Sequence, residues 1–350
     1  MLFQDWDNRP ALWKMAEVTT SDDDGLIMAA GEFNVIVQRL IDHPDEARWR
    51  APHGDNFLHH ILGMNISLSS NTIEKILEVI CPESLQERNM YGMLPLHMVS
   101  CLDNNHHDPE IFSLILNANP DAARICDHDG DYPINKALYW SPFWSEESKY
   151  YEEGKLSPPR KMLSNSNISI VRMILEVHPS GALVVGEYGI DIWQILCFLW
   201  LRDGLDDYFT NLCELTDTVL RSRFMFRCGK DVPFLHLHAV VQERNDVLMI
   251  RKLRKFYLGR YSHQASILDH NGRLCLNLAI ETGYQWSNAI AQLCHVASRA
   301  IETRDMATFL FPFMAAAARE HADVNTVYEL MRASPSLIRR CTEIARDFKC

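Results

Sequence analysis

The chain lacks every common catalytic signature. It contains no G-x-S-x-G elbow, no G-x-x-x-x-G-K-[ST] phosphate loop, no G-x-G-x-x-G and no H-E-x-x-H. The usual serine-hydrolase, nucleotide-binding and zinc-protease sites therefore have no residues to build them. None of its ten cysteines forms a C-x-x-C pair, which argues against zinc-ribbon and thioredoxin-like readings. Several, such as Cys197 and Cys294, lie inside apolar runs and read as reduced core thiols of a cytoplasmic or nuclear protein. No apolar run approaches the roughly 20 residues that span a bilayer; the most apolar, 190–201, has about a dozen. Basic residues are short as well. Lys and Arg number 34 against 46 Asp and Glu, for a net charge of −12, and a general nucleic-acid or membrane-surface binder needs a basic face. The opening MLFQDWDNRP has neither the charged leader nor the apolar stretch of a signal peptide. The sequons at Asn65 and Asn167 are accordingly expected to be unused.

Glycine is scarce too, with 15 in 350 residues against a usual share of about 7%, so its placement carries information. Proline and glycine lie ten apart in four places: Pro44 and Gly54, Pro82 and Gly92, Pro120 and Gly130, Pro179 and Gly189. Five residues beyond each glycine a polar group follows a bulky one: Leu58-His59, Leu96-His97, Ile134-Asn135 and Trp193-Gln194. Gly272 repeats this with Leu276-Asn277. Gly229 is looser, with Leu235-His236 two residues further on, and a last copy at 311–316 has no glycine.

The fullest copy is 115–137, ILNANPDAARICDHDGDYPINKA. An apolar helical face (Ile111, Phe112, Leu114, Ile115, Leu116) must end before Pro120, because a residue preceding proline is pushed out of the α region. Small residues follow and permit a tight reversal. Asp127-His128-Asp129-Gly130 is a turn cluster, and Pro133 suits a first helical position, where a missing N–H costs nothing. One such unit has too little surface to bury alone and needs stacked copies.

Met93-Leu94-Pro95-Leu96-His97 resembles the ankyrin signature T-P-L-H-x-A, with Leu94 in place of the threonine. Phe234-Leu235-His236-Leu237-His238-Ala239 and Cys275-Leu276-Asn277-Leu278-Ala279 are worn versions. The P-x-x-A turns at Pro44, Pro120 and Pro179 are similar to those of divergent ankyrin families of microalgae. Anchored on the position after the bulky residue, the copies fall at 59, 97, 135, 194, 236, 277 and 314, with longer steps than the family's about 33 residues. The resemblance implies an all-α solenoid of about seven helix-turn-helix units with short projecting hairpins over 33–337. An irregular cap over 1–32 and a capping helix over 338–350 complete it. Gly54, His59, Gly92, Pro95, His97, Gly130, Pro133, Gly189, His236 and Gly272 are its structural signature, the histidines bonding backbone between adjacent hairpins.

Three features stand outside the pattern. The third step exceeds the family value by about 26 residues, matching a Ser-, Pro- and charge-rich insertion at 141–167 that reads as a mobile surface loop. Residues 221–260 form a basic segment (Arg221, Arg223, Arg227, Lys230, Arg251, Lys252, Arg254, Lys255, Arg260) in an acidic chain. His106-His107 sits in a linker with Asp103 and Asp108, but no metal site or cofactor is assigned.

The resemblance implies a non-catalytic protein-binding scaffold whose partner lies along the concave face of hairpin tips and inner helices. The tip residues beside each glycine are His53 and Asp55, Tyr91 and Met93, Asp129 and Asp131, Tyr188 and Ile190, Asn271 and Arg273. Tyr91, Met93 and Tyr188 are of types enriched in binding hot spots or adaptable surfaces. The alternative is an adaptor or regulatory subunit of an enzyme, docking through the 141–167 loop or the basic 221–260 segment. A protein partner is expected, with no nucleic acid, no membrane and a monomeric chain.

Overall fold

The computed structural model describes residues 9–18, 30–63, 68–101, 108–139, 165–186, 191–201, 209–243 and 256–339. Among the described residues there are helices, short helical turns and one isolated antiparallel bridge, Val185 with Asp191, but no strand. None of the helices described is long and apolar enough to cross a membrane. The chain divides into two units, Met1–Ile195 with Asp206–Val219, and Leu196–Leu205 with Leu220–Cys350. Each is described by itself.

In the first unit, α1 (Ala11–Val18) and α2 (Ala30–Asp42) lead into α3 (Phe57–Gly63), α4 (Ser70–Val79), α5 (Pro95–Ser100), α6 (Pro109–Ala118), α7 (Pro133–Tyr139) and α8 (Asn165–Val177). The helices form two layers. Short α3, α5 and α7 touch in succession, and so do the longer α2, α4, α6 and α8. The short helices are buried nearly all round; in α5, Pro95, Leu96, His97, Val99 and Ser100 are all inside. Proline opens α5 and α7 at no hydrogen-bond cost, as expected at a first helical position. The longer helices are amphipathic. α4 buries Thr72, Ile73 and Ile76 while Glu74 and Glu78 face water, each buried isoleucine contributing about 1.5–3 kcal/mol. Ser69 caps α4, its Oγ accepting from Thr72 N at 3.2 Å, and Asp108 caps α6 by accepting from Glu110 N at 2.9 Å.

Proline follows the end of each long helix and starts a single 3₁₀ turn: Pro44–Arg48, Pro82–Leu85, Pro120–Arg124 and Pro179–Leu183. The alanines of the P-x-x-A pattern explain themselves here, since Ala47, Ala123 and Ala182 are buried where the chain reverses against its neighbours. α1 is held to this layer by Trp13. Its indole is fully buried, donates to Glu46 O at 3.2 Å and stacks on His60 at 4.7 Å.

α9 (Ile192–Leu201) and α10 (Phe209–Cys228) carry the chain across the division. The second unit continues with α11 (His236–Gln242), α12 (Cys275–Thr282), α13 (Ala291–Val296), α14 (Pro312–Ala317) and α15 (Val324–Ala333). Short α11, α12 and α14 again touch in succession. The turns Ser262–Ser266 and Ser298–Glu302 do the work of the proline turns, with Ala265 and Ala300 buried.

Two expected boundaries fall inside helices. α2 starts at Ala30, within the segment read as an irregular cap, and α8 starts at Asn165, within the insertion read as ending at 167. The rest of that insertion and residues 340–350 lie outside the described residues; 335–339 are helical.

One buried charge cluster locks a hairpin to its helix. Lys136 Nζ lies 2.8 Å from Asp127 Oδ2 and 3.0 Å from Asp131 Oδ2, with all three side chains at most 4% exposed. Burial alone would favour the neutral amine, but the bonds to Asp127 and Asp131 outweigh it and raise the lysine's pKa. Replacing Lys136 by Met leaves two buried carboxylates uncompensated. The variant is expected to lose about 3–5 kcal/mol of stability in urea melts, and adding Asp127→Asn and Asp131→Asn should recover much of it. Single and triple variants of equal stability would contradict this account.

Candidate partner-binding face

A hairpin that projects from helices has no sheet to pair with, so its backbone must be satisfied from elsewhere. In four hairpins the base closes the same way. Ala51 N donates to Asp55 O at 3.0 Å, Asn89 N to Met93 O at 3.0 Å, Asp127 N to Asp131 O at 2.9 Å and Asp269 N to Arg273 O at 2.9 Å. In the last three the side chain of that base residue then folds inward. Asn89 Oδ1 accepts from Tyr91 N and Met93 N, Asp127 Oδ1 from Asp129 N and Asp131 N, and Asp269 Oδ1 from Asn271 N and Arg273 N, all within 3.0 Å. This carboxamide or carboxylate three residues before the glycine is a structural position that the glycine-anchored reading missed. It was visible in the sequence as an Asx-turn former.

Neighbouring hairpins in the first unit also bond each other. Met90 N donates to His53 O at 2.8 Å and His128 N to Tyr91 O at 3.0 Å. That approach is what demands glycine at position 92. Its φ is +77°, and a Cβ there would sit 2.8 Å from His128 N.

The signature polar residue is the third residue of α3, α5, α7, α9, α11 and α12. His97 Nδ1 accepts from Leu94 N at 3.1 Å, so its proton sits on Nε2, which donates to Asp131 O at 3.3 Å in the next hairpin. His59 Nε2 donates likewise to Met93 O at 2.8 Å. Asn135 and Gln194 keep only the local half, accepting from Tyr132 N and Asp191 N.

In the second unit this position is taken by His238, not by His236 as the sequence suggested. Gly229 is no hairpin glycine: at φ +95° its N–H donates to Met225 O at 2.9 Å and closes α10. Counting from it therefore misplaces the signature by two residues. His238 is buried and turned toward the carbonyls of Arg273 and Ile267, without reaching full hydrogen-bond geometry. His236 instead stacks on Tyr261, with centroids 4.1 Å apart and planes 4° apart.

The tip residues divide by their side of the glycine. Those after it turn inward and serve the fold, so they are not free for a partner. Met93 and Asp131 are buried, Asp55 accepts from Asn89 Nδ2 at 2.9 Å, and Arg273 grips Asp305 through Nε and Nη2, each at 3.0 Å. Those before it, His53, Tyr91, Asp129 and Asn271, are exposed. Tyr188, Gly189 and Ile190 lie outside the described residues.

The residues two before the glycine complete the outer corner, and the glycine-flanking choice passed over them. Met90, His128 and His270 are exposed beside Tyr91, Asp129 and Asn271. The hairpin after α13 is built differently. Asp305 N donates to Leu310 O at 3.0 Å, and Phe309 holds the left-handed position at φ +58°. Phe309 is 69% exposed and Met306 57%.

The basic segment is partly spent. Arg223 is buried against Glu243, with Nη2 to Oε2 at 3.0 Å, and Arg227 reaches the same carboxylate at 2.9 Å. Residues 251–255 lie outside the described residues. Burial pushes the Cys294 thiol up to about 12 and also raises Cys275, so neither is a reactive nucleophile near neutral pH. Among the described residues no three His, Cys, Asp or Glu side chains gather to hold a metal ion.

Compared with known proteins, the chain matches no family model and no curated protein. The reading of function rests on its own geometry.

Burial pushes the His97 imidazole down to about 4, and His59 and His238 fall for the same reason. A histidine depressed in the native state leaves the unfolded chain to take up the proton first. Stability is then complete above about pH 6.5 and drains as the pH falls toward 4, by about 3 kcal/mol for His97 alone. Carboxylates titrate lower, so urea midpoints compared at pH 7.5 and 5.0 read the histidines. His97→Asn, an amide the chain already uses at this position in α7 and α12, should flatten that dependence. An unchanged slope would remove His97 from the account.

Proposed function

We propose that the chain is an ankyrin-repeat solenoid of about seven units that acts as a non-catalytic, protein-binding scaffold. Within each unit, the partner contacts the outer corners of that unit's hairpins. The observation that carries this reading is the set of exposed apolar side chains at those corners. Met90 is 49% exposed, Tyr91 50%, Met306 57% and Phe309 69%. Phe309 is the most telling. A bulky residue in the left-handed region costs roughly 1–2 kcal/mol, and the other well-formed hairpins place glycine at the equivalent point. Backbone strain held by an exposed aromatic ring fits a binding residue better than a structural one. The repeat reading is supported by the recurring polar third helical residue, the turn that follows each of α2, α4, α6 and α8, and the two layers of the first unit. A monomeric protein of the cytoplasm or nucleus is the setting that suits it.

The adaptor alternative keeps one specific support. Arg221 and Arg260 make ring contacts, to Phe234 at 4.6 Å and Tyr261 at 5.6 Å, and pair with no carboxylate among the described residues.

The decisive variants are Met90→Ala with Tyr91→Ala, and Phe309→Gly. Phe309→Gly should raise stability by about 1 kcal/mol through relief of strain. In quantitative capture from the native extract, each variant should lose a protein retained by the intact chain, by about tenfold or more. Retention of every bound protein by both variants would reject the hairpin-corner face. Loss of stability on Phe309→Gly would show that the ring serves the fold instead.

A further inference from the structure

The second unit carries a groove between residues 258–262 and α13. It has a volume of about 600 Å³ and is open along one side. Leu258, Gly259 and Ser262 line one wall, and Ala291, Gln292, His295 and Val296 the other. Gly259 is not forced by its backbone, because its φ is ordinary and an added Cβ there would meet no atom within 4 Å. Its missing side chain leaves the space open. Val296 is 39% exposed at the opposite wall.

The charge around the groove is unlike the rest of the chain. Although 46 of the 350 residues are acidic, neither 256–268 nor 286–301 contains one. The same stretches carry Arg260, His263, His295 and Arg299, all exposed. Arg260 sits between two lining residues, stacked over the Tyr261 and Phe256 rings at 5.6 and 5.9 Å. Among the described residues neither Arg260 nor Arg299 has a carboxylate partner.

We propose that this groove docks an acidic peptide segment of a protein partner, which seats one or two apolar side chains between Leu258 and Val296 and pairs its carboxylates with Arg260. An apolar floor with an unpaired cationic rim has the complement of such a segment. Single-stranded nucleic acid fits less well, because stacking needs open ring faces. Tyr257 is fully buried, and the Phe256 and Tyr261 rings already lie under Arg260. An anionic membrane is held by clusters of about 4–8 Lys or Arg, more than Arg260 and Arg299 together supply. The site goes beyond the hairpin-corner reading and uses none of its residues.

The test is fluorescence anisotropy with the full chain and three labelled twelve-residue peptides. The first carries a Leu-x-x-Leu pair among glutamates, the second replaces Glu by Lys, and the third replaces Leu by Ser. The first should bind, the other two at least about tenfold more weakly. Gly259→Phe, which fills the groove, and Arg260→Glu should each weaken it by about tenfold or more, with unchanged circular dichroism melts. Tyr91→Ala and Phe309→Gly should leave it unaltered. A benzophenone in place of one leucine should crosslink to Leu258, Ala291 or Val296. Absence of binding below about 1 mM, equal binding of the Glu and Lys peptides, indifference to Gly259→Phe, or crosslinks at the hairpin corners would each overturn the proposal. So would binding of a single-stranded oligonucleotide or of phosphatidylserine vesicles that is lost on Arg260→Glu while the acidic peptide stays unbound.

Discussion

Extended backbone held outside any sheet is the constraint on which this molecule turns. Each hairpin exposes polar groups that helices cannot reach with their own backbone, and an unsatisfied buried group costs about 1–3 kcal/mol. Three devices share the task in the first unit. The base residue closes the turn from within, the next hairpin bonds along its edge, and the third residue of the short helix reaches across from beneath, as His59 does to Met93 O and His97 to Asp131 O. Because the last two link one repeat to the next, satisfying the hairpins is also what orders the repeats. The buried Lys136 cluster extends the same logic with charge in place of neutral amides.

Most of the layering was legible in the sequence, since its signals are local. Proline at 44, 82, 120 and 179 marks a helix end whatever surrounds it, and the structure puts a helical turn at each. The polar residue five beyond glycine is legible at 59, 97 and 135 for the same reason: hairpin and short helix are contiguous, so the count cannot slip. It slipped at Gly229, because a glycine closing a long helix and a glycine turning a hairpin share the left-handed backbone and differ only in what precedes them. Twenty residues of α10 come before Gly229, but an amphipathic signal there is weak, and the glycine was read with the wrong partner. Met93, Asp131 and Arg273 failed as partner residues on a subtler point. The residue after the glycine already faces the core side, which neither residue type nor spacing reveals.

The corners of the hairpins answer to different rules from their bases. At the base every residue is fixed by a bond: Asn89 or Asp127 must accept from the turn, and Gly92 must make room for His128 N. At the corner the side chains stay exposed, and the chain places Met90 beside Tyr91 and His128 beside Asp129. Freedom from the fold is what allows such positions to be spent on recognition, and apolar surface left in water without a structural return asks for another use.

Phe309 carries this argument furthest. The other hairpins place glycine at the strained point and so pay nothing for the turn, whereas here the turn is closed around an aromatic ring that packs on little and faces water. The turn itself survives the substitution because Asp305 still binds it from within, accepting from Ala307 N and Thr308 Oγ1, while Arg273 holds Asp305 in place from the preceding hairpin. The inward network over-determines the backbone, and only an over-determined backbone can keep a bulky residue at positive φ. The same ion pair that takes Arg273 away from a partner is thus what lets Phe309 be offered to one.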